Sequence, residues 1–113
     1  MSSIFSSVLT AFLVAVTVGT VANTCTTVYL HRALSHRALT LRPSIALVFR
    51  AVLWLSTGIK PKEWVAVHRK HHAYTDIEGD PHSPVLLGWK TVQTKNVALY
   101  RASVLDPSTI DRY

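Results

Sequence analysis

Nothing charged lies in the first 30 residues: they contain no Asp, Glu, Lys, Arg or His. The chain has one cysteine, only six acidic residues against twelve basic ones, and no internal repeat or low-complexity tract. Each shortage excludes something. A single thiol, Cys25, cannot close an internal disulfide, so a secreted disulfide framework is ruled out. Placed inside an apolar run, it reads as a small packed residue rather than a reactive group. No basic residue precedes that run, and the run is too long for the apolar part of a secretory leader. The basic residues form no stripe with interleaved aromatics, so a net charge of +6 does not point to nucleic acid. At 113 residues there is room for one small domain.

What is present is apolar and unevenly spread. Hydrophobic residues make up 49% and mean hydropathy is +0.25, yet every Lys and Arg lies after position 31. Residues 4–30 are uncharged over 27 positions, against the roughly 20 needed to cross a bilayer, and predict a transmembrane helix. Thr10, Thr17, Thr20, Thr24 and Thr27 recur on one helical face, which predicts packing against another helix. Arg32, Arg37, Arg42, Lys60, Lys62, Arg69 and Lys70 all follow the span, so the positive-inside rule puts everything after Leu30 on the cytoplasmic side. A basic face there suits anionic lipid headgroups.

Residues 44–59 form a second apolar run, opened by Pro43-Ser44 and closed by Gly58 and Pro61. Sixteen helical residues reach only about 24 Å, short of the hydrocarbon core. With Arg50 near its middle, this reads as an interfacial helix whose guanidinium snorkels outward. A helix is expected over about 61–73, a loop over 76–88 with its two prolines and two glycines, and an amphipathic helix over about 88–103 closed by Asp106-Pro107. The fold class is therefore an all-α membrane protein, with one transmembrane helix followed by interfacial and cytoplasmic helices. Three stretches divide it: the span at 4–30, a histidine region at 31–82 and a cytoplasmic helical tail at 83–113.

All six histidines fall between positions 31 and 82. His31 and His36 form a His-x4-His box; His68, His71 and His72 form a His-x2-His-His box; His82 follows in Asp80-Pro81-His82. Positions i, i+3 and i+4 share a helix face, so the second box presents three imidazoles to one side. The first box is less tidy. Five α-helical residues turn about 500°, leaving the rings about 140° apart. Either those rings serve different metals or the helix distorts near Leu34 and Ser35. Residues 37–67 separate the boxes, 31 in all, whereas two crossings need about 40. Zero crossings keeps both boxes on one side.

Neutral imidazole is a good ligand for iron, zinc or copper. Imidazoles also avoid the desolvation cost that ionised carboxylates meet beside lipid. Two neighbouring irons activate dioxygen for attack on an unactivated C–H bond; zinc has no such redox role. The expected ligands are His31, His36, His68, His71 and His72. His82 reads as a turn residue, and Asp80 as a turn residue or a partner that orients a ligand histidine.

HRALSH followed by EWVAVHRKHHAYTDIEGDPHSP resembles the first two histidine boxes of membrane fatty acid desaturases of the Δ9 acyl-CoA type, bacterial members in particular. The likeness runs from about Val28 to Pro84 and more loosely to Tyr113. It implies a partial desaturase fold with two iron ions bound by His31, His36, His68, His71 and His72. It implies removal of two hydrogens from a fatty acyl chain, as acyl-CoA or acyl lipid, using O2. The electrons would come from ferredoxin, rubredoxin or cytochrome b5 with its reductase. The setting would be membrane lipid, a bacterial inner membrane with the boxes on its cytoplasmic side. Trp64 would lie near the acyl channel. The family's third His-x2-His-His box is absent from these residues, so the chain is expected to be an N-terminal fragment with an incomplete site. Two other readings stand: a membrane hydroxylase of acyl chains, alkanes or sterols, and a single-span metal-binding protein without catalysis.

Overall fold

The computed structural model describes residues 2–113, and among them every regular element is helical. Helix α1 covers Ser2–Cys25 and runs without a break into a π-helical segment, Thr26–Ser35. Then come α2 (Pro43–Thr57), α3 (Pro61–Ala73), the single turn α4 (Pro84–Leu87), α5 (Trp89–Leu105) and α6 (Pro107–Arg112). The chain divides into two compact units between Gly58 and Ile59, so the two histidine boxes fall in different units.

In the first unit one continuous helix, Ser3–Ser35, is long and apolar enough to cross a membrane. Its large apolar side chains, among them Ile4, Phe5, Val8, Phe12 and Leu13, are exposed. So are the five threonines expected to pack against a neighbour. Their face is stabilised from within: Thr17 donates to the Leu13 carbonyl at 2.8 Å and Thr24 to the Thr20 carbonyl at 2.9 Å. A hydroxyl satisfied inside its own helix costs little in lipid. Helix α2 packs on α1 and on the π segment, with Tyr29 stacked on Phe49 at 5.9 Å. Leu53, Tyr29, Leu30 and Cys25 are buried. Pro43 opens α2, and Gly58, left-handed at φ 67°, closes it by donating its N–H to the Trp54 carbonyl. Arg50 is exposed, as snorkelling requires.

In the second unit α3 packs on α5 and α6, and α4 on α5. Prolines open α3, α4 and α6, each at the one position where a missing N–H costs nothing. Ser83 caps α4, its Oγ accepting from the Val85 and Leu86 amides; Asp106 caps α6 by accepting from the Ser108 amide. The expected stop at Asp106-Pro107 is where α5 ends, and the same pair also serves as N-cap and first position of α6. The expected loop at 76–88 is interrupted by α4, which Ser83-Pro84 starts in the same way. Helix α6 is clasped onto α3. Lys70 Nζ donates to Asp106 Oδ2 at 3.1 Å and to the fully buried Thr109 hydroxyl at 2.9 Å, while Arg69 donates to the Tyr113 carbonyl at 3.1 Å.

Candidate metal centre

The first box depends on an unusual backbone. From Thr26 the hydrogen bonds shift to i→i+5, and the His36 amide donates to the His31 carbonyl at 3.0 Å. Five residues therefore complete one bonded turn, instead of overshooting it by about 140° as in an α-helix. The two imidazoles come to lie 4.5 Å apart, edge to face. Of the two alternatives left open by the spacing, the structure takes helix distortion, but over ten residues rather than only near Leu34 and Ser35. Ser35 follows the same register, its hydroxyl donating to the Leu30 carbonyl five residues back. The segment ends where Arg37 turns left-handed at φ 52° and the Ala38 amide reaches back to the Arg32 carbonyl.

The second box sits on α3 and divides in two. His68 and His72 bring their Nε2 atoms to 3.0 Å. With metal–nitrogen bonds of about 2.1 Å, that separation subtends about 90° at a metal, the angle between neighbouring ligands of an octahedral ion. Trp64, one turn earlier, stacks on the His68 ring at 4.7 Å and an interplanar angle of 14°, which holds that imidazole flat. The donor set thus fits a transition metal: neutral nitrogen ligands, paired at ligand spacing, one ring braced by an aromatic face.

His71 turns elsewhere. Its Nδ1 lies 2.9 and 3.0 Å from the two carboxylate oxygens of Asp80. That side chain is 0% exposed although the backbone around it is not. Each oxygen accepts a second bond, Oδ1 from the His82 amide at 3.0 Å and Oδ2 from the Asp76 amide at 2.9 Å. Burial pushes the Asp80 carboxyl up, but the bonds from His71, His82 and Asp76 outweigh it and hold it below the ordinary value. An ionised carboxylate on Nδ1 fixes the His71 proton there and leaves Nε2 as the ring's donor to a metal. The loop that carries Asp80 is built for this. Asp76 and Gly79 are left-handed at φ 59° and 103°, and the Ser83 hydroxyl donates to Asp76 Oδ1 at 2.6 Å.

His82 is more than a turn residue. Its ring packs 4.4 Å from that of His71, and its Nδ1 lies 3.8 Å from Asp80. Burial, then the nearby His71, keep it below the usual imidazole value and hence neutral at physiological pH. One potential ligand atom from each of His71, Asp80 and His82 lies within 4.8 Å of the others. No periodicity marks this trio; the Asp-Pro-His triplet was its only trace in the sequence.

Comparisons with known proteins agree with these motifs. Residues 7–109 match the fatty acid desaturase family. The chain is 35% identical over 79 residues to the Delta-9 desaturase-like 2 protein of Arabidopsis thaliana, covering 70% of this chain and 26% of that one. It is 40% identical over 55 residues to a hex-5-enoyl-[acyl-carrier protein] acetylenase of Moorena producens, covering 49% and 17%. It is 41% identical over 64 residues to an acyl-CoA C20 Delta5-desaturase of Anemone leveillei, covering 57% and 20%. The chain thus spans about a quarter or less of the length of these relatives. No solved structure matches it significantly.

Proposed function

Because this chain belongs to the fatty acid desaturase family, we propose that its five box histidines bind two irons serving an O2-dependent desaturation of a fatty acyl chain. The observation that carries the reading is the pairing of His68 Nε2 and His72 Nε2 at 3.0 Å, a hydrogen-bonding distance in the free helix that is also the spacing of two nitrogens on one metal. In this reading His31, His36, His68, His71 and His72 are the ligands, each neutral and each donating one ring nitrogen. The irons supply activation of O2 and removal of hydrogen from an unactivated carbon. The reaction balances as one saturated –CH2–CH2– unit, O2, two electrons and two protons giving –CH=CH– and two waters. A one-electron carrier such as ferredoxin, rubredoxin or cytochrome b5 with its reductase delivers the electrons. Five imidazoles do not fill the coordination of two irons, so further donors complete it.

The membrane placement follows from helix length. The 24 residues of α1 extend about 36 Å, close to the hydrocarbon thickness, so His31 and His36 emerge at headgroup level. The positive residues that follow support a cytoplasmic position for that level. An acyl chain lying in the bilayer then meets the site from the lipid, while O2 and electrons arrive from the water phase. The relatives' names specify different acyl carriers: acyl-lipid, acyl-CoA and acyl-carrier protein.

The test is metal and product analysis of the iron-loaded protein. We expect two irons per molecule and an alkene product without alcohol, with His68→Ala and His72→Ala each losing iron and product together. An alcohol product would make the protein a hydroxylase. Absence of bound iron would leave a metal-free membrane protein, and full turnover by either alanine variant would remove that residue from the ligand set.

A further inference from the structure

The box histidines account for five of the six imidazoles, but not for the most buried acid of the second unit. Asp80 is fully enclosed, lies nine residues after His71, and spends both oxygens on the same ring nitrogen while two backbone amides hold it from behind. A buried carboxylate in a ten-residue loop is costly unless its lone pairs are occupied, and here all four bonds fall between 2.9 and 3.0 Å. The surrounding loop adopts two left-handed residues to deliver it. Backbone conformation of that kind persists only where the surroundings hold it in place.

We infer that Asp80 is a positioning residue: it sets the tautomer and ring angle of His71, a ring also packed 4.4 Å from that of His82, and so reserves the Nε2 lone pair for a metal. The inference rests on His71 being an iron ligand. In that role an Nδ1–H bound to a carboxylate makes Nε2 the free base and raises its donor strength, whereas an unheld imidazole divides its proton between both nitrogens. A neutral amide is a poor replacement. Oδ1 and Oδ2 each face a backbone N–H, so Asp80→Asn turns one acceptor into a donor that confronts a donor, whichever way the amide is flipped.

The experiment uses the full protein with 15N-labelled histidine, first metal-free and then titrated with ferrous iron. Parent His71 is expected as the Nδ1–H tautomer. In Asp80→Asn and Asp80→Ala that signal moves toward the Nε2–H form, and iron affinity falls roughly 10–100-fold, the usual effect of removing a carboxylate behind a ligand histidine. Ser83→Ala provides the structural control, because it removes the α4 cap and the bond to the Asp76 side chain while leaving in place every group that bonds directly to Asp80 or His71. It is expected to lower thermal stability and leave tautomer and iron affinity unchanged. An unaltered His71 tautomer in Asp80→Asn, or an equal loss of iron in Ser83→Ala, overturns the inference. His71→Ala separates the two levels. If it binds iron as the parent does, the ligand assignment has failed; if it loses iron while Asp80→Asn does not, only the positioning role has failed.

Discussion

Gly79→Ala offers the sharpest test of how the Asp80 loop is held. Gly79 sits at φ +103°, a region L-residues rarely enter, and a methyl there would lie 3.0 Å from Tyr74 Cδ1 and 3.3 Å from Cγ. The backbone strain alone is worth about 1–3 kcal/mol. The Tyr74 main chain is tied at the end of α3, its amide bonded to the Lys70 and His71 carbonyls, so the ring withdraws only by leaving its χ1 rotamer. Against this, alanine lowers the entropy of the unfolded chain, worth about 0.4–1 kcal/mol. With about 1 kcal/mol more for the overlap with the ring, mid-range values give a net of about 2–3 kcal/mol against the closed loop. Hydrogen exchange reads this directly, since the Asp76 and His82 amides are both held by Asp80. They should exchange about 30- to 150-fold faster, with the amides of α1 unaffected, at about 1.4 kcal/mol per factor of ten. Gly58→Ala calibrates the result: it is also left-handed, at φ +67°, but nothing lies within 4 Å of its added methyl. Its cost should be strain alone, about 1–2 kcal/mol. Exchange at Asp76 and His82 within twofold of the parent in Gly79→Ala would refute the argument.

Thr109→Val removes a fully buried hydroxyl that accepts from Lys70, and should destabilise the α3–α6 clasp by about 1–3 kcal/mol, seen as a lowered Tm. The Asp106 carboxyl is held down at about 2, first by its bonds from Ser108 and then by Lys70. Its folded value lies below the unfolded one, so its contribution is complete above about pH 4 and disappears as pH falls through 2. Acid titration of α6 exchange should show that loss in the parent and a flatter profile in Asp106→Asn. Burial, then Glu63, push the Tyr100 phenol up to about 12, and among the described residues its buried hydroxyl has no hydrogen-bond partner. Stability is therefore independent of this group below about pH 10 and is lost as pH rises through 12, where the folded protein resists the ionisation that the unfolded chain allows. Tyr100→Phe should remove that alkaline limb and, by deleting an unsatisfied hydroxyl, leave Tm at pH 7 equal or higher.

Much of this was legible in the sequence, and the gaps have physical causes. The span was plain because charge is forbidden in a hydrocarbon setting, so its absence over 30 residues is loud. Pro43, Gly58 and Pro61 marked helix ends correctly because their constraints are local to the backbone. Asp106-Pro107 does close α5, but Pro107 also opens α6, and Pro84, expected in a loop, opens α4. The five-residue spacing of His31 and His36 exposed a conflict with α-helical geometry, but hydrogen-bond register leaves no compositional mark. Only coordinates locate the π segment from Thr26. Asp80 was harder still, because burial of a loop carboxylate depends on what folds back over it, and its two nearest supports, Asp76 and His82, lie in the same stretch.

The clasp between α3 and α6 has one more consequence. Written out, His68-Arg69-Lys70-His71-His72 looks hostile to a metal cation, with two positive charges wedged among the proposed ligands. Helical rotation carries Arg69 and Lys70 round to the other flank, where a carbonyl, a carboxylate and a hydroxyl anchor them. The imidazole flank is thereby spared much of their repulsion, and a motif dense in cations can welcome another.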